Sequence, residues 1–381
     1  MREWVEVGLT ERPGPKLTMK LLVVSAVAGL IFSLAGTTPA HEEKTEPIPG
    51  EKVERSMPVS PQVTVTLCVA SGTLTVRGWE KNELHVRSSD ASQIELRRLD
   101  KVKEPATPAG RIDVMIVDAS SKMKAKLDCQ ALADVFMEVP AGATVQVQTR
   151  DGDISIAGVA GAYAGSQNGS IEIERATRIV EAGSVGGSIS LKNSSGRVNL
   201  SSAGGILEVA NVKPSNSEDT FEVGTVSGDI QLDRVSNPKV MVKTVNGTVT
   251  MAGPLAKSGH YSFTNMTGDV ILALPHDASF QLNAKVSEKR DIVSDFALKY
   301  IELPPPAPPA PARGASASAS KTPVAQGHPP QKTGPIISPV PVERPTAVVP
   351  YVLRRVTAIC GTGDATISVA SFGGTVRLKK I

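Results

Sequence analysis

The stretch Val242-Lys243-Thr244-Val245-Asn246-Gly247-Thr248-Val249-Thr250-Met251 decides the fold, because variants of it recur from residue 145 almost to the C-terminus. Its core is a glycine, a small or polar residue, then aliphatic, variable, aliphatic. The last three alternate as a half-buried strand must. The same grammar starts at Gly152, Gly169, Gly187, Gly205, Gly228, Gly247 and Gly268, with spacings of 17, 18, 18, 23, 19 and 21 residues. It returns at Gly363 and Gly374. A second alternating strand precedes most of these glycines, as in Val145-Gln146-Val147, Phe221-Glu222-Val223, Val240-Met241-Val242 and Tyr261-Ser262-Phe263. Asn168-Gly169, Ser227-Gly228, Asn246-Gly247 and Thr267-Gly268 read as turns in which glycine adopts positive φ at little cost.

A period near twenty residues is the length of one coil, and in-phase recurrence favours stacked coils over a meander closing into a sandwich or barrel. One coil buries too little to order its own backbone, so neighbouring coils must supply the remainder through ladders and a shared core. The expected fold is all-β, a parallel β-solenoid or β-helix-like stack. Upstream, Val63–Leu67, Leu74–Val76, Leu84–Val86, Ile94–Leu96, Ile112–Val114 and Val135–Val139 read as strands of an N-terminal β region, 61–140, that caps the array. Residues 120–133 are polar and poorly periodic, and are expected to form a long loop or a short helix.

The flanks change character. An apolar run from Leu21 to Gly36 follows Lys20 and precedes Thr37-Thr38-Pro39-Ala40, so residues 1–40 read as a signal peptide cut before His41. An uncleaved membrane anchor is the alternative. Met19-Lys20 would make an ordinary start, so 1–18 is expected to be an over-long reading or an extended leader. Residues 41–60 read as a flexible spacer, 141–300 as the repeats, 301–350 as a disordered insertion and 351–381 as the terminal coils. Residues 304–350 hold 14 of the chain's 28 prolines, a composition that builds no core.

Charged residues make up 21% and the formal net charge is +3, so charge identifies no polyanionic partner. Nucleic-acid binding lacks both a basic stripe and interleaved aromatics. Aromatic residues are 3%, which speaks against a large aromatic core. Cys68, Cys129 and Cys360 form no Cys-x-x-Cys pair. In an exported chain Cys68 with Cys129 is a possible disulfide, and the alternative is that all three are small buried hydrophobes. The histidines, His41, His85, His260, His276 and His328, show no metal-ligand spacing, and no cofactor motif is present.

Aspartates follow the glycine at Asp153, Asp229, Asp269 and Asp364, as stacked carboxylates do in β-helix enzymes acting on glycans. The position is also Ser170, Ser188, Thr248 or Thr375, so these read as turn residues bonding local backbone. Ser155, Glu172, Ser190, Glu208, Gln231, Thr250 and Arg377, each between two inward aliphatics, should form a polar ladder facing solvent.

The leader, the loose N-terminal β region, the Gly-Asp/Ser-Ile-x-Ile repeats and the closing Ser371-Phe372-Gly373-Gly374-Thr375-Val376-Arg377-Leu378 together resemble a bacterial adhesin-like family, a domain of unknown function with a single-stranded β-helix-like repeat. The resemblance spans roughly 60–300 and 350–381. It implies an adhesin-like structural or interaction module at the envelope or surface and brings no catalytic residues. The expectation is therefore an exported non-enzymatic solenoid, in the periplasm or at the cell surface, with an envelope or surface partner, protein or glycan. It touches membrane only through the N-terminal segment if that stays uncleaved. The alternatives are a β-helix glycan hydrolase or lyase, and a self-assembling solenoid scaffold.

Overall fold

The computed structural model describes residues 53–88, 91–100, 107–118, 129–287, 292–301 and 353–381. The leader 1–40, residues 41–52, most of the 120–133 segment and the proline-rich residues 302–350 lie outside the described residues.

The regular part of the chain consists of short strands that alternate between two ladders. β1 (Val53–Ser71), β2 (Leu74–Trp79), β3 (Glu83–Ser88), β4 (Ala91–Arg98), β5 (Ala109–Asp118) and β6 (Val135–Pro140) form the N-terminal end. The middle runs β7 (Thr144–Asp151), β8 (Ile154–Ala157), β9 (Gly161–Ser166), β10 (Ile171–Glu174), β11 (Ile179–Ser184), β12 (Ile189–Lys192) and β13 (Arg197–Ser202). It continues as β14 (Leu207–Val212), β15 (Thr220–Ser227), β16 (Ile230–Val235), β17 (Lys239–Asn246), β18 (Val249–Ala252), β19 (His260–Thr267) and β20 (Val270–Leu274). β21 (Phe280–Ser287), β22 (Ile292–Ser294), β23 (Lys299–Ile301), β24 (Leu353–Cys360), β25 (Ala365–Ser371) and β26 (Val376–Lys380) form the C-terminal end.

Even-numbered middle strands pair in parallel, β8 with β10, β10 with β12 and so on to β20, and make sheet I. Odd-numbered ones pair likewise from β7 to β19 and make sheet II. One coil is thus a sheet II strand, the repeat glycine, a sheet I strand and a corner. Register is strict: Ile154, Ile171, Ile189, Leu207, Ile230, Val249 and Val270 stack directly on one another. All are buried. Opposite them the sheet II column Val145, Ala162, Val180, Val198, Phe221, Val240 and Tyr261 closes the core. The core is aliphatic along most of its length and gains large rings only toward the C-terminal end, at Phe221, Tyr261, Phe263 and Phe280.

Two columns fix the turns. At the glycine edge a methyl group on Gly169 would lie 1.8 Å from the carbonyl oxygen of Gly152, and on Gly187 or Gly205 2.0 Å from the glycine of the coil before. The column begins at Gly72, whose carbonyl oxygen is equally close to Gly152, and ends at Gly374 over Gly268. Stacked backbones, rather than a left-handed φ, are the main reason for glycine here; of the middle glycines in the column only Gly247 and Gly268 have positive φ. Gly363 does not belong to the column: it sits at φ 79° in the turn from β24 into β25. Three residues before the glycine, Ser166, Ser184 and Ser202 are buried. Each donates its hydroxyl to the previous glycine carbonyl at 3.1–3.2 Å and accepts the next glycine amide at 2.8–2.9 Å.

The opposite corner falls four residues into each sheet I strand. Arg175, Asn193, Asn211 and Arg234 occupy it with φ of 50–57°, between Gly158 and Gly253. Left-handed backbone disfavours side chains, and a side-chain ladder offsets this: Asn211 donates to Asn193 Oδ1 at 2.9 Å, and Arg234 Nε to Asn211 Oδ1 at 2.6 Å. Both long repeats insert their extra residues on this side, 213–219 and 254–259.

The ends break sequence order. The second half of β1 pairs with both β5 and β7, and β2 with both β6 and β8. The coil β1–β2 therefore lies inside the coil β5–β6, which β3 and β4 cover with antiparallel pairing. At the other end β25 pairs with β19 and β21, and β26 with β20 and β22. The coil closest to the C-terminus is inserted between two earlier ones, and β24 and then β23 close the edge antiparallel. Two expectations change. Residues 53–60 are strand rather than spacer, Pro58 being tolerated because the first half of β1 is a sheet edge. The coils after the insertion are not outermost, since β21 and β22 lie beyond them.

Candidate interaction surface

Each coil presents two outward strand faces, one glycine edge and one corner. The polar ladder expected on sheet I is in register: Ser155, Glu172, Ser190, Glu208, Gln231 and Thr250 lie on consecutive strands, with Ile271 separating them from Arg377. Lys192 reaches Glu172 at 3.5 Å. This pair is exposed, and such pairs contribute little.

The aspartates after the glycine are engaged by the stack. Asp153 Oδ1 accepts the amide of Ser170 at 2.8 Å, Asp229 that of Thr248 at 2.7 Å and Asp269 that of Thr375 at 2.8 Å. Asp134 accepts from Thr73, and Ser188 Oγ from Ile206. Read in stacking order, an acceptor side chain stands on every second coil and binds the amide of the next. That is why the aspartates never fall on consecutive coils. The bonds are to backbone, as the turn reading expects, but reach across coils. Asp364 is separate, accepting from the hydroxyl of Thr362.

The outer face of sheet II carries a shallow trough of about 370 Å³. Gln146, Tyr163, Glu181 and Asn199 form one row along it, and Gln148, Gly165, Gly183 and Ser201 the next. A methyl group on Gly165 would meet only Gln148 Cγ at 3.7 Å, and on Gly183 the Ser201 hydroxyl at 3.3 Å and carbonyl oxygen at 3.9 Å. The stack does not require these glycines, so their effect is to leave the floor bare. Cys68 lines the N-terminal rim and is joined to Cys129 by a disulfide across 61 residues, while Cys360 is free. The Cys360 thiol is held above its ordinary pKa by burial, partly offset by Lys380, and bonds the Ala278 carbonyl.

The N-terminal end holds a group that sequence spacing does not reveal. His85 Nδ1 lies 3.0 Å from Glu138 and Nε2 3.6 Å from Glu54. Its ring stacks on Trp79, which Lys81 covers, and Arg87 lies over Phe136. Trp79, Lys81, His85 and Arg87 are near neighbours in sequence, but Glu54, Phe136 and Glu138 reach them only because β3 is inserted antiparallel between β1 and β6. Near the rim of β4–β5, Arg98 and the amide of Gly110 bind the Asp100 carboxylate and lower its pKa. Among the described residues no group of three His, Cys, Asp or Glu side chains could hold a metal ion.

Two solved structures are similar to this chain in part. A candidate cell adhesion protein from Clostridium sporogenes ATCC 15579 shares 11% identity, with 87% of this chain and 100% of that chain covered and a TM-score of 0.17. A candidate adhesin from Parabacteroides merdae ATCC 43184 shares 10%, with 59% and 90% covered and a TM-score of 0.34. Overlaps this low carry no argument. No curated protein matches the chain. The Toastrack DUF4097 family matches residues 61–296, more than half of the 381 residues and all of β7 to β20, and the chain belongs to that family.

Proposed function

We propose that the chain is an exported, non-enzymatic interaction module, adhesin-like, acting in the periplasm or at the cell surface on a protein or glycan partner. The observation that carries this reading is the engagement of the aspartates. Asp153 and Asp229 each bind the next coil's amide, and four coil steps of about 4.8 Å separate them by about 19 Å. A carboxylate pair acting on one glycosidic bond stands about 5–9.5 Å apart. What remains for a partner is extended surface: the bare-floored trough with Tyr163 and its polar row, and the sheet I ladder, both suited to many weak contacts. The Cys68–Cys129 disulfide supports an oxidising compartment.

The test uses the chain without residues 1–40, immobilised and exposed to bacterial cells and envelope fractions. Retention that falls when Tyr163→Ala and Glu181→Lys are combined supports the reading. Depolymerisation of an envelope or plant glycan, abolished by Asp153→Asn with Asp229→Asn, would replace it with the enzyme reading.

A further inference from the structure

A row of apolar side chains stands out from the glycine edge. Two residues before the glycine, at the end of each sheet II strand or just past it, consecutive coils carry Val185, Ala203, Val226, Val245, Met266 and Phe372. All six are exposed, Val185 to 59% and Met266 to 52%. The preceding coils carry Gln167 and Arg150 at the same place, so the row begins abruptly. With one residue per coil it runs about 24 Å. It offers roughly 500 Å² of apolar surface, as large as patches that on monomers are often functional.

We propose that this ridge is the interface of a two-fold dimer, and that its occupant is the same ridge of a second copy running antiparallel. Three observations favour a second copy. Its teeth have the same pitch by construction, so the two rows interdigitate in a fixed register, which an arbitrary globular partner does not offer. The row also tapers from small at Val185 to large at Phe372, and inversion evens it out: Phe372 falls opposite Val185, Met266 opposite Ala203, and Val245 opposite Val226. A parallel pairing would set Phe372 on Phe372 and leave a gap at Ala203. Finally, in the antiparallel register Lys243 faces Gly224 and Asp229 faces Thr248, so no like charges oppose each other. Two ridges bury roughly 1,000 Å², the size at which specific interfaces begin. Such a dimer is isologous and closes on itself.

Sedimentation equilibrium of the chain without residues 1–40 should show twice the monomer mass at micromolar to tens of micromolar concentration. Val226→Lys with Val245→Lys places like charges at the centre and should weaken association about 100-fold or more, with circular dichroism unchanged. In a Cys360→Ser background, a mixture of Val226→Cys and Val245→Cys chains should form the mixed disulfide dimer faster than either chain alone. Val185→Cys should cross-link with Phe372→Cys and not with itself. A monomer at all concentrations, a dimer that survives the lysine pair, or cross-linking without this pairing preference overturns the proposal.

Discussion

In the middle of the stack, from β9 to β18, every coil touches the coils before and after it in sequence; at the two ends it does not. The middle is held by repetition, in which glycine carbonyls, buried serines and the aspartate-to-amide bonds carry the same contact from coil to coil. The ends are held by exception. Strands leave the parallel order, turn antiparallel and cover the open ladders, which would otherwise present unpaired backbone to other chains. Parallel stacking can be extended by copying a coil, whereas stopping it needs sequence found only once.

The sharpest way to break the middle is Gly187→Ala. The new methyl would lie 2.0 Å from the Gly169 carbonyl oxygen, so the two coils must separate. A loss of about 4 kcal/mol or more is expected, with urea unfolding splitting into two transitions as the halves uncouple. Gly183→Ala, on the open floor, should stay within about 0.5 kcal/mol in the same titration. At the N-terminal end, replacing both Cys68 and Cys129 by serine frees the 61-residue loop and should cost up to about 4 kcal/mol. Hydrogen exchange should show that loss confined to β1–β6; faster exchange in β15–β20 would mean that the ends are not independent of the middle.

Smaller effects sharpen the contrast. Asp229→Ala removes the acceptor for the Thr248 amide and should cost about 1 kcal/mol. Thr248→Ala, which keeps the amide, should cost less in the same thermal melts. Least of all is an acid effect at Asp100. Its pKa is lowered by Arg98 and then by the Gly110 amide, so the folded state holds its proton less tightly than the unfolded chain does. The stabilisation is complete above the ordinary aspartate pKa of about 4 and is lost as pH falls through the lower folded value. Amide exchange at Gly110, followed by NMR, should rise over that window, and Asp100→Asn should remove the dependence.

The coil was legible because its information is local. Gly247, Val249 and Met251 give the strand and its inward face from alternation alone, and the period gives the stack. The reason for the glycines was not legible, since a turn and a carbonyl 2 Å away both select glycine and only the neighbouring coil distinguishes them. The aspartates at 153 and 229 suggested either turns or catalysis; their true acceptor role depends on an amide about 17–19 positions away. Thr225 and Thr244 take the inward place and turn Val226 and Val245 out. Stacking order at the ends was least legible. The Gly374-Thr375-Val376-Arg377-Leu378 grammar fits against any other coil, and nothing within it names β20 and β22 as its neighbours.

The insertion of the terminal coil changes how the structure would come apart. β26 is the last strand of the chain, yet it is flanked by β20 and β22, and β1 is flanked over its second half by β5 and β7. A tug on β26, or on the second half of β1, loads hydrogen bonds on two sides at once, along the strand, so they share the load in shear instead of peeling one by one. Fraying should therefore begin at the singly paired strands β22, β23 and β4 and reach β26 last. The solenoid is fastened like a belt whose tongue is tucked beneath its own loops.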